Sequence, residues 1–359
     1  MRTILALLFS SWTGLLAAAL VPACGGSTHN PSAPADSGLE EMAPVLDSGI
    51  PPRDASPIQP EAEAEAAVPL APGLLLYGGW GDLYQDTWSW SGTSWTQVPG
   101  NGPGVLDDQS MMGLSDGSVL LFGGEDVSTA ERGTWSFSHG MWSQLQAMGP
   151  SARTGGAMAM LGGKAYLYGG QGSSGFLSDM WSWDGAAWTQ VTLSGSTPGG
   201  RYAHSMATLG NTIVLFGNVG GPTDTWTFDG SAWKQAATVG PTGDPQGLSD
   251  SRGFAGMATL GNRVILFGGE QDANHFLNDT WAWDGKSWTQ LQPAHQPPAR
   301  FHPAMATLGS TIVLFGGGGA IPNGQPLLGD TWTFDGTDWT QAAMTGPSAR
   351  YGYVMAGHQ

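Results

Sequence analysis

Five arginines recur at matching places along the chain, and they have the clearest capacity for chemistry. A ring of guanidinium groups could form a cationic funnel for an anionic ligand. Alternatively, each arginine could pair with an aspartate of its own repeat as a structural brace. The second repeat lacks both partners, with Asp107 and Gly133 in their places, which favours the brace. The arginines are Arg153, Arg201, Arg252, Arg300 and Arg350, and the aspartates are Asp86, Asp179, Asp224, Asp279 and Asp330.

Two glutamates and two aromatic residues occupy less regular places. Glu125 and Glu270 each follow a Gly-Gly pair directly and are the best-placed carboxylates for acid–base chemistry. Trp80 and Tyr84 lie outside the repeated pattern, so they could form a stacking platform for a sugar or a peptide, or simply pack within their loop. These four residues and the five arginines are the candidate binding residues.

The sequence predicts neither a cofactor nor a metal site. Asp82 and Asp272 could bind calcium, but no Asp-x-Asp-x-Asp-Gly run accompanies them. His204 and His302 lie on a repeated strand, and we interpret both as structural. The only cysteine is Cys24, so the remainder of the chain has no disulfide framework and no catalytic thiol.

A repeat of apolar segments must position these residues. One segment ends in glycine, the next carries Asp-Thr-Trp or a variant, and a third opens Trp-Thr-Gln or a variant. A fixed spacing of seven residues between the tryptophans of each pair, across a turn of the Asp-Gly type, indicates one β-hairpin register used repeatedly. We expect the tryptophans to fill the layers between repeats. The pairs are 88/95, 135/142, 181/188, 226/233, 281/288 and 332/339.

A strand rich in small residues precedes each glycine-ended segment and completes the unit. We name the strands a (after the arginine), b (ending Gly-Gly), c (Asp-Thr-Trp) and d (opening Trp). The first repeat begins at strand b, with Leu74–Gly79, and the chain ends on an orphan strand a, Arg350–Ala356. This pattern predicts an all-β fold, a six-bladed propeller over residues 73–359 that the C-terminal strand closes.

The unit resembles the kelch repeat, which has an early arginine, a Gly-Gly pair, an aromatic residue on the third strand and tryptophan on the fourth. The resemblance extends over residues 73–359 and implies blades similar to those of the galactose oxidase central domain. The copper chemistry of that enzyme needs a Tyr–Cys crosslink, which Cys24 is not placed to supply. Bacterial kelch-type sialic-acid mutarotases need no cofactor, but no motif here matches their active residues.

Because neighbouring strands are antiparallel, successive loops alternate between the two faces of the propeller. The a–b and c–d turns are short and nearly uniform, and they share one face, which we call the tight-turn face. The b–c and d–a connections vary in length and sequence and share the opposite face, which we call the loop face. Variable loops on a rigid scaffold are where binding usually occurs, so the loop face is the candidate site.

The N-terminal region predicts export. Residues 1–24 have a short positive start, an apolar run and small residues before Cys24, and they resemble a bacterial lipoprotein signal in which that cysteine is lipidated. An ordinary secretory peptide cut after Ala23 is the alternative. Residues 25–72 are rich in Pro, Ala and Glu and predict a disordered linker.

The composition of the chain limits the classes of partner that the protein is expected to bind. The formal net charge is −17, with only 12 lysines and arginines, so a nucleic acid is not expected to bind. The sequence therefore predicts an exported binding module, anchored to a bacterial membrane or otherwise secreted, whose loop face takes a protein or a glycan. The alternative is a cofactor-free carbohydrate-active enzyme that acts on acidic sugars.

Overall fold

The computed structural model describes residues 70–359, apart from residues 82–83, 101, 127–128, 239, 242–250, 273–274, 320–325 and 344. The predictions for Cys24, for the signal region and for residues 25–69 of the linker lie outside this part of the chain. Within it, six antiparallel sheets follow one another as blades, which confirms the predicted six-bladed propeller. No helix among the described residues is long and apolar enough to cross a membrane.

The strands follow the predicted order a to d in every blade. The first blade contributes β1 (Gly73–Tyr77), β2 (Thr87–Trp90) and β3 (Trp95–Val98). The second blade contains β4 (Ser110–Gly113), β5 (Val119–Phe122), β8 (Thr134–Ser138) and β9 (Met141–Leu145). Its b–c loop forms a two-stranded ribbon of β6 (Glu125–Asp126) and β7 (Thr129–Ala130). The third contains β10 (Ala157–Leu161), β11 (Lys164–Tyr168), a ribbon of β12 (Gln171–Gly172) and β13 (Gly175–Phe176), β14 (Met180–Trp183) and β15 (Trp188–Gln190), and the fourth contains β16 (Ser205–Leu209), β17 (Thr212–Phe216), β18 (Thr225–Phe228) and β19 (Trp233–Ala237).

The last two blades repeat this plan. The fifth contains β20 (Gly256–Leu260), β21 (Arg263–Phe267), a ribbon of β22 (Glu270–Asp272) and β23 (His275–Phe276), β24 (Thr280–Trp283) and β25 (Trp288–Leu291). The sixth contains β26 (Arg300–Phe301), β27 (Ala304–Leu308), β28 (Thr311–Gly319), β29 (Leu327–Phe334) and β30 (Trp339–Ala343), after which β31 (Val354–His358) returns to the first blade. β31 pairs antiparallel with β1, from Gly73 opposite His358 to Tyr77 opposite Val354, so the predicted closure is confirmed.

The core lies between neighbouring blades. Leu74, Leu75, Leu76 and Tyr77 of β1 are all fully buried, because strand b has a blade on either side of its sheet. The six mixed clusters of strand b aliphatics and strand d tryptophans repeat around the ring and form its core. Strand d tryptophans therefore fill the layers as predicted, whereas five of the six paired strand c tryptophans, all but Trp226, are only partly buried.

Strand a of each blade lines an axial cavity. The cavity has a volume of about 510 Å³ towards the tight-turn face and about 160 Å³ towards the loop face. Met206, Met257, Met305 and Met355, which are equivalent in four blades, line both parts. The small residues of strand a permit this close approach around the axis.

Candidate functional site

The recurring arginines form ion pairs inside their own blades. In the third blade, Nη1 and Nη2 of Arg153 donate to the two carboxylate oxygens of Asp179 at 2.7 and 2.8 Å. Nη1 also donates to the carbonyl of Gly169, the first residue of that blade's Gly-Gly pair. The indole of Trp181 donates to the same carboxylate at 2.8 Å. One arginine thus ties strands a, b and c together, and the predicted brace is confirmed.

Five blades carry this brace, with small differences in geometry. Arg300 and Arg350 also make two-pronged pairs with their aspartates. Arg201 lies 2.8 Å from Asp224 but directs two donors to the Pro198 carbonyl, and Arg252 shares its donors between Asp279 and backbone carbonyls. All five arginine side chains are at most 1% exposed. Their charge is therefore neutralised within the blades, and none of the five is presented to a ligand.

The second blade departs from the expected alignment. Across each blade junction, the second residue of the Gly-Gly position donates its N–H to the carbonyl at the arginine position, as Gly124 does to Arg153. In the second blade this acceptor is Leu106, which receives the N–H of Gly79. The placing of Asp107 at the arginine position was therefore wrong by one residue. A buried leucine replaces the arginine, and Asp107 lies one position nearer the axis.

Six residues with left-handed backbone form an inner ring at the loop-face end of the axis. They lie two positions after each arginine position and are Gly352, Asp108, Gly155, Ala203, Phe254 and His302, with φ values from 52° to 72°. Five backbone hydrogen bonds of 2.7 to 3.2 Å link successive members from Gly352 to His302. A left-handed conformation costs about 1–2 kcal/mol for a residue with a Cβ. The ring therefore holds four side chains where glycine would be unstrained.

A second set of positions surrounds this inner ring. In each blade the residue after the arginine position pairs through its backbone with the residue that follows the Gly-Gly position. These outer pairs differ from blade to blade although the scaffold around them is uniform. They are Tyr351 with Trp80, Asp107 with Glu125, Thr154 with Gln171, Tyr202 with Val219, Gly253 with Glu270, and Phe301 with Gly318. We call the inner ring and the outer pairs together the mouth.

The predicted glutamates both belong to the mouth, in blades that lie opposite each other. Glu125 pairs with Asp107 in the second blade, and Glu270 pairs with Gly253 in the fifth. Trp80 also belongs to the mouth. Tyr84 lies further out, where its ring covers the guanidinium of Arg350 at 3.7 Å, which corresponds to the loop-packing alternative.

Asp108 is the centre of the polar contacts in the mouth. It accepts a hydrogen bond from the hydroxyl of Tyr202 at 2.7 Å, and His302 Nδ1 lies 3.4 Å from its other carboxylate oxygen. No motif in the sequence singled out Asp107, Asp108, Tyr202 or Tyr351 as binding residues. The available signal was the variation of the two positions after each arginine within otherwise similar repeats.

Aromatic rings line the mouth next to these carboxylates. Phe176, at the tip of the third blade's ribbon, stacks on Tyr202 with ring planes 8° apart, and Tyr202 meets Phe254 edge-on. Phe276 stacks on Phe301, which contacts Tyr351 at 5.1 Å between ring centroids. Phe176 is 44% exposed, so part of this aromatic band faces solvent.

The carboxylates of the mouth repel one another. Burial and the charges of Asp108 and Glu125 raise the pKa of Asp107 to about 8. Burial, with Asp272 and Asp108, raises the pKa of Glu270 to about 7. Burial and Asp108 also raise the pKa of Glu125. Groups with such pKa values can exchange protons near neutral pH.

The two histidines, grouped together by the sequence, have different surroundings. His204 packs edge-on against Tyr168 between blades, and burial lowers its pKa to about 3, which agrees with a structural role. His302 belongs to the mouth, where burial lowers its pKa although Asp108 opposes this effect. Among the described residues, no group of three or more His, Cys, Asp or Glu could hold a metal ion. Asp82 lies outside the described residues.

Comparison with known proteins identifies the repeat. A protein-family model described as the KLHDC2/KLHL20/DRC7 Kelch-repeats domain matches residues 64–250, which is more than half of the chain. No curated protein matches the chain. Kelch propellers generally bind protein partners, and the fold is that of an interaction module. With its repeated brace, its Gly-Gly strands and its six closed blades, the chain belongs to the kelch-repeat family.

Proposed function

We propose that this protein is an exported interaction module that binds a protein partner at the mouth on its loop face. The observation that carries the proposal is the variation of the mouth within a uniform scaffold. Side chains as different as Asp108, Phe254 and His302 occupy equivalent left-handed positions. Strained backbone that is retained where glycine would fit better is typical of functional sites.

The exposed aromatic band supports a macromolecular partner. Aromatic side chains contribute large contact areas at low entropic cost and are enriched in protein interfaces. Phe176 is half-exposed at the end of this band, next to Tyr202, so a partner that covers the mouth would bury it. A glycan that stacks on the same rings is the other ligand class compatible with this surface.

The geometry gives less support to an enzyme for acidic sugars. An anionic substrate needs an available cation, and all five recurring arginines are buried in their blades and neutralised by aspartates. The mouth itself contributes carboxylates from Asp107, Asp108 and Glu270. A cofactor-free enzyme would instead have to use the raised pKa values of Asp107 and Glu270 on an uncharged substrate.

A pair of matched variants tests the loop-face proposal. Phe176→Glu places a charge in the aromatic band, whereas Met141→Glu places one on the tight-turn face, where Met141 is 62% exposed. Full-length wild type and both variants would be cross-linked in intact cells, and their partners would be compared. Phe176→Glu should lose the partner and Met141→Glu should retain it, at unchanged melting temperatures. Loss in Met141→Glu alone would place the binding surface on the opposite face.

Lipidation of Cys24 is the second part of the proposal, and it rests on the small residues before that cysteine. A diacylglycerol on its sulfur would hold the propeller at a membrane, with residues 25–72 as a tether. Cys24→Ser should move the protein from the membrane fraction to the soluble fraction. An intact mass that shows a free thiol at the new N-terminus would contradict this part of the proposal.

A further inference from the structure

The mouth has an excess of hydrogen-bond acceptors. Asp107, Asp108, Glu125 and Glu270 contribute four carboxylates, and among the described residues no lysine or arginine forms an ion pair with any of them. Asp108 accepts a hydrogen bond from Tyr202 and lies 3.4 Å from His302 Nδ1. The other three carboxylates have raised pKa values, which shows that this site disfavours their charge.

The free cations of the described chain lie mostly on the other side of the propeller. Lys164, Lys234, Lys286 and Arg263 all flank a–b or c–d turns, on the tight-turn face. Arg132 is exposed on the return of the second blade's ribbon, outside the mouth. The described part of the chain therefore places no paired cation at the mouth, and a partner with positive charge would be complementary to it.

The aromatic rings around the carboxylates of the mouth suit an organic cation. The ring centroid of Phe254 lies 4.6 Å from that of His302, and the ring centroid of Tyr351 lies 6.3 Å from it. Aromatic faces attract ammonium and guanidinium groups and also pack against their aliphatic stems. The described residues contain no cluster suited to a metal ion. These features favour a side chain with several N–H donors over an inorganic cation.

We propose that the mouth binds a lysine or arginine side chain from a basic segment of the protein partner, with the cationic group among Asp107, Asp108 and Glu270. This inference rests on the proposed function and adds the chemistry of the partner. The side chain would enter along the axis from the loop face. The aromatic band would cover its stem and the flanking residues of the segment.

The proposal predicts a specific pH dependence of binding, because a bound cation changes the protonation of the carboxylates. A bound cation lowers the pKa of carboxylates that are partly protonated in the free protein, so binding releases protons and strengthens as the pH rises from about 6 to about 9. Burial lowers the pKa of His302 although Asp108 opposes this effect, so the site disfavours its protonated form. The groups that face the site from the neighbouring elements are Asp107, Asp108, Glu125, Glu270, Asp272, His302, Tyr202 and Tyr351.

Calorimetric titration of the full-length protein with hexalysine, hexaarginine and hexaglutamate peptides tests the proposal, at about 0.15 M salt to screen long-range attraction. The basic peptides should bind and hexaglutamate should not. Asp107→Asn should weaken binding by about tenfold or more, as should Asp108→Asn. Asp184→Asn changes the net charge equally on the tight-turn face and should leave affinity unchanged. Binding in buffers of different ionisation enthalpy should show proton release.

Three results would overturn the inference. These are no binding of either basic peptide, equal weakening by Asp184→Asn, or binding of Ca²⁺ or Mg²⁺ alone with the same dependence on Asp107 and Asp108. If the peptides fail to bind while Phe176→Glu still abolishes capture of the cellular partner, the loop face remains the interface and only its cationic chemistry is wrong. Failure of both experiments would remove the proposed function as well.

Discussion

At the scale of single residues, the Arg–Asp brace should contribute measurably to stability. Burial raises the pKa of Asp330, but hydrogen bonds and charge from Arg300 and a hydrogen bond from Trp332 outweigh burial and hold it below its usual value. A group with a lowered pKa stabilises the fold above its unfolded pKa of 3.8, and this contribution is lost as the pH falls through the folded pKa.

The brace prediction uses a double-mutant cycle on this pair. Arg300→Met and Asp330→Asn should each cost about 1–3 kcal/mol at neutral pH, because each leaves a buried group without its partner. The double variant should lose less than the sum, since no unpaired charge remains. Urea unfolding of the four proteins measures this coupling. A coupling energy of zero would contradict the brace.

The effect of pH on stability should have the opposite sign at Asp107 to that at Asp330. Its pKa is raised to about 8 in the folded protein from 3.8, so the charged carboxylate destabilises the fold increasingly as the pH rises above about 4. Asp107→Asn should therefore raise stability by about 1–3 kcal/mol at pH values above about 8 and have little effect near pH 4. Melting temperatures across this range measure the effect, with Asp184→Asn as the control. A loss of stability in Asp107→Asn at high pH would contradict the prediction.

This result also bears on function. A variant that is more stable but binds basic peptides more weakly would show that the mouth retains Asp107 at a cost in stability. Such trade-offs are usual where a binding site concentrates like charges.

At the scale of elements, neighbouring blades are joined by a repeated side-chain hydrogen bond. The strand d tryptophan donates its indole N–H to the first threonine of strand c in the preceding blade, as Trp339 does to Thr280 at 2.9 Å. The same bond occurs at four further junctions. Trp233 is the exception, because Met180 occupies the threonine position and its indole N–H has no partner.

Removal of one such bond should weaken the blade junction. Thr280→Val preserves the shape of the side chain but leaves the Trp339 N–H buried and unpaired, which should cost about 1–3 kcal/mol of unfolding free energy. Thr333→Val is the matched control, because its hydroxyl makes only a long contact of 3.4 Å with the Thr340 carbonyl. Denaturant unfolding measures both variants. Equal small losses would mean that packing alone joins the blades.

At the scale of the whole molecule, ring closure should govern cooperativity. β31 is the strand nearest the axis in the first blade, and its loss would expose the β1 edge and the cluster that contains Met355. Deletion of residues 349–359 should therefore lower the melting temperature and broaden the transition. A synthetic peptide of the deleted residues, added in trans, should restore part of the stability. An unchanged cooperative transition in the truncated protein would contradict this role.

The sequence by itself determined the scaffold. Six copies of a Trp–Trp hairpin, Gly-Gly ends on strand b and an orphan strand a at the C-terminus were sufficient to predict the blade count, strand order and closure. Repetition made this possible, because each blade independently reports the same register. The pairing of Arg153 with Asp179 was likewise predictable, since both residues recur together and are missing together in the second blade.

Only the tertiary structure decided the site. Asp107, Asp108 and Glu125 come from one blade, Tyr202 from the fourth, Glu270 from the fifth and His302 from the sixth, and they meet only because the ring closes around one axis. A shift of one residue in the second blade also moved Asp107 from the brace to the mouth, where hydrogen bonds across the blade junction set the alignment. Sequence spacing reports which strand a residue belongs to. Which side chains converge at the axis depends on contacts between blades far apart in the chain, and those contacts exist only in the folded ring.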